Sequence, residues 1–175
     1  MRYTVPIRDP HVRGILRCAS HPMQLHYLVI PLVVVFVAWI GGRFTARSVR
    51  EWYPSLQKPS WTPPGSIIGA VWTVFYILAG TSAIFVWDVP GGPGILLAGM
   101  FVANAFLNAL WSYVFFALRK MNAAIAVCLL LDLTIIFLIV LTVPISVFAA
   151  WLLAPYLLWV TFASYLNYRI SAMNH

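Results

Sequence analysis

Tryptophan and asparagine side chains within apolar stretches are the residues of this sequence whose types and spacing could do chemistry. Asn104, Asn108, Trp111 and Phe115 recur at helical spacing, so that amides and aromatic rings share one helix face. An amide is costly facing lipid, so this face should point into the protein. For the two asparagines it predicts hydrogen bonds that join neighbouring helices.

Histidine and cysteine offer less. Cys18 and Cys128 lie far apart in the chain, which favours neither a disulfide framework nor a metal site. The histidines lie in the tails or at the start of the first apolar stretch, with no spacing suited to zinc: His11, His21, His26 and His175. The sequence contains no phosphate-binding glycine loop, nucleophile elbow or paired carboxylates. We therefore predict no metal, no required cofactor, and neither an ordinary hydrolase nor an ATP-driven pump.

Asp132 is a carboxylate within an apolar stretch, about 17 Å from its start at the helical rise per residue. A charge at that depth costs about 2.5 to 3.5 kcal/mol on insertion scales, so the side chain should face the interior of a bundle, be protonated, or both. Two alternatives remain open for Asp132, a proton or cation site and a hydrogen bond to a neighbouring helix.

The composition identifies the elements that must position these residues. Hydrophobic residues make up 62% of the chain, charged residues 9%, and the mean hydropathy is +0.89. Long stretches without charge are apolar all round, as membrane helices of about 20 residues are, and lack the alternation of a β-barrel. The sequence predicts an all-α, polytopic membrane protein, a bundle of five transmembrane helices at Leu25–Phe44, Ser66–Trp87, Gly94–Leu118, Met121–Leu141 and Ser146–Tyr168.

The connections predict one domain with one long loop. Short links after the second, third and fourth spans favour antiparallel neighbours in a single membrane domain at residues 25–170, between a basic tail at 1–24 and a short tail at 171–175. The connection at about residues 45–65 mixes charges, aromatic rings and prolines, which is typical of a structured segment at the membrane face. We call it the lid, and its predicted key residues are Trp52, Lys58, Trp61, Pro63 and Pro64.

The net charge of +7 predicts membrane topology rather than a nucleic-acid partner, because the basic residues flank the apolar spans. Seven Lys and Arg lie on the side of the lid and C-terminus, against four in the N-terminal tail. We therefore expect the lid and C-terminus in the cytoplasm. The Arg-rich tail is either a weak organelle-targeting segment or a basic extension with no targeting function. Both a bacterial cell membrane and a mitochondrial or other organellar membrane therefore remain open as locations.

Six of the eight tryptophans lie within the predicted spans, and they divide into two groups. Trp39, Trp87 and Trp151 lie near span ends, as in an aromatic belt. Counted inward from the lid side at the helical rise, the others lie in one layer with an asparagine: Trp72 at about 9 Å, Trp111 at about 10 Å, Trp159 at about 14 Å and Asn108 at about 15 Å. This layer predicts a cavity between spans two, three and five.

Small residues four apart on the third span, Gly99 with Ala103 and Ala105 with Ala109, allow another helix to approach closely. We predict a homodimer through this helix.

Several segments carry a family resemblance in order and spacing. They are Gly42-Arg43-Phe44, the lid from Trp52-Tyr53-Pro54 to Trp61-Thr62-Pro63-Pro64, Trp72, Asn108-Ala109-Leu110-Trp111 with Phe115-Phe116, and Pro155-Tyr156-Leu157-Leu158-Trp159 with Phe162-Ala163 and Leu166-Asn167-Tyr168. In these segments the chain resembles the TspO/MBR family, also called translocator protein, tryptophan-rich sensory protein or peripheral benzodiazepine receptor.

The resemblance implies a five-helix bundle, commonly a homodimer, whose cavity under the first long loop binds tetrapyrroles such as protoporphyrin IX for transport, sensing or stress response. The implied ligand-binding residues are Trp72, Tyr76, Asn108, Trp111, Trp159 and Ala163. An enzyme that breaks down porphyrin oxidatively in light is the alternative, with Trp72 and Trp159 as its candidate catalytic residues.

Some members of the family bind cholesterol, and a C-terminal pattern of Leu or Val, Tyr, and Lys or Arg, with at least one residue in each gap, is credited with this. Here Arg169 follows Tyr168 directly, so the strict pattern is missing. Leu110, Tyr113 and Arg119 match the pattern in the third span, but such short patterns are weak evidence of sterol binding.

Overall fold

Five long helices form the frame of the protein, in a computed structural model that describes residues 25–174. They are α1 (His26–Glu51), α2 (Gly65–Trp87), α3 (Gly94–Ser112), α4 (Met121–Thr142) and α5 (Val147–Met173). With the turn that extends α3, all five are long and apolar enough to cross a membrane. The predicted five-helix membrane bundle is confirmed. The predicted basic tail, with Cys18, and His175 lie outside the described residues.

The lid is shorter than we predicted. Residues 45–51 continue α1 and are not part of the loop, because this stretch contains neither Pro nor Gly and its side chains support a helix. Arg47 Nε, for example, lies 2.9 Å from Glu51 Oε2, one turn further along the helix. The lid therefore covers residues 52–64 and includes a short 3₁₀ turn at Tyr53–Ser55. At the other end of the chain, α5 extends to Met173 and takes in most of the predicted C-terminal tail.

Two short connections have the geometry that their sequences favour. Between α2 and α3, Gly91 and Gly92 have φ values of 89° and 66°, which glycine adopts without strain. Beyond Ser112, α3 continues as one π-helical turn at Tyr113–Ala117. Such turns often occur at functional sites, and this one lies directly beneath the lid.

The core of the bundle is built mainly by α2, α4 and α5, while α1 lies at its edge against α2 and α3. Leu131, Ile135, Leu153 and Val160 are almost fully buried in this core. Only Val37, Gly41 and Ser48 are buried on α1. Because α1 packs on one side only, cavities form along its inner face.

Candidate functional site

A cavity of about 240 Å³ lies beneath the lid, between the lid-side halves of α1, α2, α3 and α5. Five of the six predicted ligand-binding residues line it: Trp72, Tyr76, Trp111, Trp159 and Ala163. Among residues 25–174, no charged side chain contributes to its wall. The volume lies just below the range of about 300 to 1,000 Å³ typical of small-molecule sites. The wall suits a lipophilic ligand, and the ligand-binding role of these residues stays a prediction.

One wall of the cavity is built around Trp72. Its ring lies 5.7 Å from the ring of Trp111, with 29° between the planes, and 5.8 Å from the ring of Tyr76. The edge of Tyr156 meets it from below at 6.3 Å. Aromatic rings attract one another at these separations. The neighbouring rings therefore fix the orientation of Trp72 before any ligand binds.

Trp159 forms the facing wall and connects it to the lid. Its ring lies 6.0 Å from Phe75 on α2 and 5.4 Å from Phe162, one turn along α5. Phe162 in turn contacts Trp61 of the lid, with ring centroids 5.7 Å apart. A movement of Trp61 would therefore disturb the packing of Trp159 through a single intervening ring.

Two indole N–H groups of the cavity wall are unused. Trp111 Nε1 and Trp159 Nε1 are buried and have no hydrogen-bond partner among the described residues. A buried donor without a partner costs about 1 to 3 kcal/mol. A ligand acceptor that reached either N–H would remove part of that cost. The cavity wall thus combines aromatic faces for stacking with two buried donors that have no partner among the described residues.

Asn108 lies behind this wall and does not line the cavity. Its Oδ1 accepts a hydrogen bond from Tyr76 Oη at 2.7 Å, and its Nδ2 donates to Tyr156 Oη at 3.0 Å. Tyr156 Oη also lies 3.3 Å from Asn104 Oδ1, and Asn104 Nδ2 donates to Thr134 Oγ1 at 3.0 Å. This network joins α2, α3, α4 and α5. The alternative that both asparagines hold helices together is therefore the one that the structure supports.

The ammonium group of Lys58 forms hydrogen bonds within the lid itself. It donates to the carbonyl oxygens of Tyr53 at 2.7 Å and Leu56 at 3.0 Å, and lies 4.8 Å from the centre of the Tyr53 ring. Burial raises the pKa of the Tyr53 phenol. Lys58 therefore stabilises the fold of the lid. In this arrangement its ammonium group is bonded to lid carbonyls and does not point at the cavity wall as a partner for a ligand carboxylate.

Aromatic contacts attach the two ends of the lid to the bundle. Trp52 packs on Phe115 of the π-helical turn, at 5.6 Å, and the guanidinium of Arg119 lies 5.6 Å from the Trp52 ring. At the other end, Trp61 stacks on Tyr165 of α5 at 5.8 Å with only 4° between the planes. Both ends of the lid are thus packed against the bundle in this conformation.

The middle of the lid is attached to the end of α5. Gln57 N donates to Asn174 Oδ1 at 2.9 Å, and Asn174 Nδ2 donates to Gln57 O at 2.8 Å. Pro63 and Pro64 do not line the cavity; Pro64 is instead the residue that precedes the first turn of α2. Their role is to guide the chain into that helix, since proline is preorganised for an extended approach.

Comparison with known sequences decides the family. The sequence model of the TspO/MBR family matches residues 29–173, which contain the lid and nearly all of the helices around the cavity. The chain belongs to the TspO/MBR family. The resemblance found in the sequence motifs is confirmed.

Relatives from distant organisms match over most of their length. The chain is 36% identical to the "Tryptophan-rich protein TspO" of Bacillus cereus over 148 residues, covering 82% of this chain and 95% of the relative. It is 35% identical to the human "Translocator protein" over 140 residues, covering 78% and 83%. The "Tryptophan-rich sensory protein" of Cereibacter sphaeroides is 32% identical over 146 residues, with coverage of 82% and 91%.

The cavity of this TspO/MBR protein also includes small residues that our sequence reasoning missed. Gly41 and Thr45 of α1 and Ser112 of α3 line it. A Cβ atom on Gly41 would lie 3.3 Å from Ser112 Oγ and 3.8 Å from Tyr76 Oη, so glycine keeps this part of the cavity open. The adjacent pair Gly41-Gly42 in an apolar span was the available signal, since glycine in membrane helices marks close approach.

The aromatic belt is only partly as predicted. Trp39 and Trp151 are 60% and 71% exposed, as expected for rings that face lipid. Trp87 differs, because the hairpin after α2 folds α3 back over it. Its ring lies 5.8 Å from Phe101, and it lines a second cavity described below.

Asp132 lies between α4 and α5, away from the cavity beneath the lid. Ser164 Oγ donates to its Oδ2 at 2.8 Å and Thr161 Oγ1 to its Oδ1 at 3.1 Å. The predicted hydrogen bond to a neighbouring helix is therefore confirmed. In the part of the chain that the structure describes, no group of three His, Cys, Asp or Glu is placed to hold a metal ion.

Proposed function

We propose that this TspO/MBR protein binds a flat, lipophilic tetrapyrrole, such as protoporphyrin IX, in the cavity beneath the lid. The observation that carries the proposal is the pair of buried, unpartnered indole N–H groups on Trp111 and Trp159, set in an aromatic wall without charge. A planar ring stacks on Trp72 and Trp159, while a ligand acceptor satisfies one or both indoles.

Binding requires the cavity to widen, because its volume of about 240 Å³ is below the usual range for drug-sized ligands. The wall best able to yield is α1, which has only three buried residues and lies at the edge of the bundle. The lid is the second movable part. Bound ligand would then be held for transport, sensing or stress response.

A second candidate function is light-driven oxidative breakdown of the bound porphyrin, with dioxygen as the oxidant. It is favoured by the contact of three oxidisable rings, Trp72 with Trp111 at 5.7 Å and with Tyr76 at 5.8 Å, at the ligand's position. Product analysis separates the candidates. A new absorbing species that requires protein, light and oxygen together supports an enzyme, and an unchanged porphyrin supports binding alone.

The proposal is tested by titrating the purified protein in detergent with protoporphyrin IX and following tryptophan fluorescence. We expect saturable quenching at about micromolar ligand, the range of many small-molecule sites. A flat dye of equal hydrophobicity that lacks the porphyrin's acceptor groups is the control. Equal quenching by the dye would show partition into the micelle and would contradict the proposal. We do not extend the proposal to sterols, because the sequence pattern credited with sterol binding is missing.

We further propose that the lid and the C-terminus face the cytoplasm, on the strength of the Lys and Arg distribution. A reporter fused after His175 should be active only in the cytoplasm. Labelling of that end from the opposite compartment would reverse the orientation and leave the five-helix bundle as it is.

A homodimer through α3 is proposed from its small residues, Gly99 with Ala103 and Ala105 with Ala109. Ala103→Leu should weaken the dimer in detergent, whereas Ala126→Leu, on the exposed face of α4, should not. A dimer that survives Ala103→Leu unchanged would argue against this face.

A further inference from the structure

A second cavity, of about 170 Å³, lies between α1, α2 and α3 in the half of the bundle away from the lid. Tyr76 and Tyr156 lie at its inner end, where Tyr76 separates it from the cavity beneath the lid. Val29, Val33 and Val37, four residues apart on one face of α1, extend along it for about 12 Å at the helical rise. The cavity is therefore longer than the side chain of any single residue.

The second cavity opens sideways between α1 and α3. On α1, exposure falls from 43% at Val29 and 44% at Val33 to 8% at Val37. On α3, Val102 is 68% exposed and Asn108 is 2% exposed. Both walls thus run from an exposed mouth to a buried inner end. Because these residues lie within helices long and apolar enough to span a membrane, the mouth lies at the depth of the lipid hydrocarbon, and in a single copy of the chain it is open to lipid.

Polar contacts hold the membrane-face end of the second cavity together. His26 Nε2 lies 2.8 Å from Asp88 Oδ1, and Tyr27 Oη donates to the same oxygen at 2.6 Å. The hydrogen bond from Tyr27 is the main cause that lowers the pKa of Asp88, which keeps the carboxylate charged and bonded. These contacts join the start of α1 to the end of α2. Entry from the lipid side, between α1 and α3, is the open route.

The inner end of this cavity offers no spare hydrogen-bonding group of the kind found beneath the lid. Each of its polar side chains, namely Asn104, Asn108, Tyr76 and Tyr156, already has a partner in the interhelical network. The remaining lining is apolar apart from the indole N–H of Trp87. An occupant therefore has to be hydrocarbon where it meets the protein, since a polar group there would be left without a partner.

The second cavity is also narrow. α1 and α2 approach so closely at Gly80 that a Cβ atom there would lie 2.9 Å from Val34 Cγ2. A flat macrocycle would have to separate these two helices. A single linear chain needs no such movement, and it would supply the van der Waals contacts that an empty cavity lacks.

We propose that the second cavity binds one acyl chain of a bilayer phospholipid, which enters between α1 and α3 and ends against Tyr76. The site does not depend on the proposed porphyrin function. The bound acyl chain would pack against the inner face of α1, where the protein itself provides few contacts.

The test uses the full-length protein in lipid bilayers that contain a phospholipid with a diazirine near the end of one acyl chain. After irradiation, labelled residues are located by mass spectrometry. We expect labelling of Val37 and Ala83, which line the cavity but are only 8% and 5% exposed. Val35 and Phe36, 65% and 57% exposed, report ordinary contact with surrounding lipid. Val86, fully buried and outside the cavity, should stay unlabelled.

A cavity-filling variant makes the test specific. Ala79→Leu adds bulk to the cavity lining, so labelling of Val37 and Ala83 should fall by about fivefold or more while labelling of Val35 is unchanged. Ala126→Leu on α4 is the matched control and should change neither. Unchanged saturable binding of protoporphyrin IX, or an unchanged melting temperature, shows that Ala79→Leu is folded. A second variant, Val33→Trp, blocks the mouth from α1 and should have the same effect.

Two results would overturn the proposal. Labelling confined to exposed residues such as Val35 and Phe36 would show that lipid surrounds α1 without entering the cavity. Protection of Val102, Val37 and Ala83 from the label, while Val35 and Phe36 are labelled, would show that a second copy of the protein covers the mouth and excludes lipid.

Discussion

The two cavities of the bundle meet at Tyr76 and differ in how their polar groups are satisfied. Beneath the lid, the indole N–H groups of Trp111 and Trp159 are buried without partners. On the far side of Tyr76, the amides of Asn104 and Asn108 are equally buried, but each one both donates and accepts a hydrogen bond. A ligand with a hydrogen-bond acceptor would therefore find unpartnered donors only beneath the lid, since the asparagines and tyrosines at the inner end of the second cavity already have partners.

This difference separates two residues that the sequence places on one face. Asn108 and Trp111 lie three residues apart on α3, and both are at least nine-tenths buried. Asn108 finds two tyrosine hydroxyls within reach, while the N–H of Trp111 finds none. Depth and helical periodicity therefore do not separate a residue of the interhelical network from a candidate ligand contact, whereas their hydrogen-bond partners do.

The largest effect should come from Asn108→Ala, which breaks the network behind the cavity. It leaves the Tyr76 hydroxyl without its acceptor and removes one of the two amide partners of Tyr156, so the free energy of unfolding should fall by about 1 to 3 kcal/mol. Porphyrin affinity, measured well below the unfolding temperature, should change by less than about threefold. Thermal unfolding in detergent and a porphyrin titration measure the two quantities.

Ser66→Ala is the control for that variant, because Ser66 is exposed in the first turn of α2 and does not line the cavity beneath the lid. It should affect neither quantity. If Asn108→Ala loses much of its porphyrin affinity at unchanged stability, Asn108 contacts the ligand. The difference drawn here between the two cavities would then be wrong.

Alanine at two glycines should separate stability from affinity. At Gly80 the new Cβ would come within 2.9 Å of the branched Val34, so Gly80→Ala should cost about 1 to 3 kcal/mol of stability with little change in porphyrin affinity. At Gly41 the nearest atom is the Ser112 hydroxyl at 3.3 Å, which can rotate away, so Gly41→Ala should cost less stability.

Gly41→Ala should nevertheless weaken porphyrin binding, because its methyl group reduces the space beneath the lid. Thermal unfolding and porphyrin titration of both variants in parallel test whether Gly80→Ala mainly loses stability and Gly41→Ala mainly loses porphyrin affinity. If both variants lose stability and affinity in the same proportion, the two cavities do not act independently.

The smallest effect is expected at the lid and should be kinetic. Asn174→Ala removes two hydrogen bonds to the backbone of Gln57 at an exposed position, so the lid should open more often. We expect porphyrin association and dissociation to accelerate together by about two- to fivefold, the size of a net hydrogen-bond loss of up to about 1 kcal/mol, with Kd nearly unchanged. Stopped-flow absorbance measures both rates.

Met173→Ala is the control for the kinetic test, because Met173 adjoins Asn174 but has no hydrogen bond to the lid by its side chain. Faster dissociation alone, with a weaker Kd, would show that Asn174 stabilises the bound state and not the closed lid.

The fold could be predicted from the sequence because its cause is local. Charge-free stretches of helical length must cross the membrane, and their count and order follow directly, as the five helices confirm. Helix ends were harder, since the membrane does not determine where a helix stops in water. α1 continues to Glu51 through residues that we had assigned to the lid.

The candidate site could be predicted only in part. Trp72, Trp111 and Trp159 share a cavity as the depth estimate indicated, because depth along a helix is fixed by its rise. Direction around the helix and the choice of partner are not fixed in this way. Lys58 and Asn108 have suitable chemistry for a ligand, but tertiary contacts engage them in the lid and in the interhelical network. Trp87 was assigned to the belt by position, and the fold of the hairpin covers it.

The central claim, that the indoles beneath the lid hold a planar ligand and those elsewhere do not, is tested most directly by one set of Kd values. Protoporphyrin IX is titrated into Trp72→Phe, Trp159→Phe and Trp87→Phe, and binding is followed by porphyrin absorbance. We expect affinity to fall about fivefold for Trp72→Phe and about tenfold for Trp159→Phe, which also loses an unpartnered donor, and to stay unchanged for Trp87→Phe. An equal loss in all three would show that the variants report damage to the fold, and it would contradict the assignment of the ligand to the cavity beneath the lid.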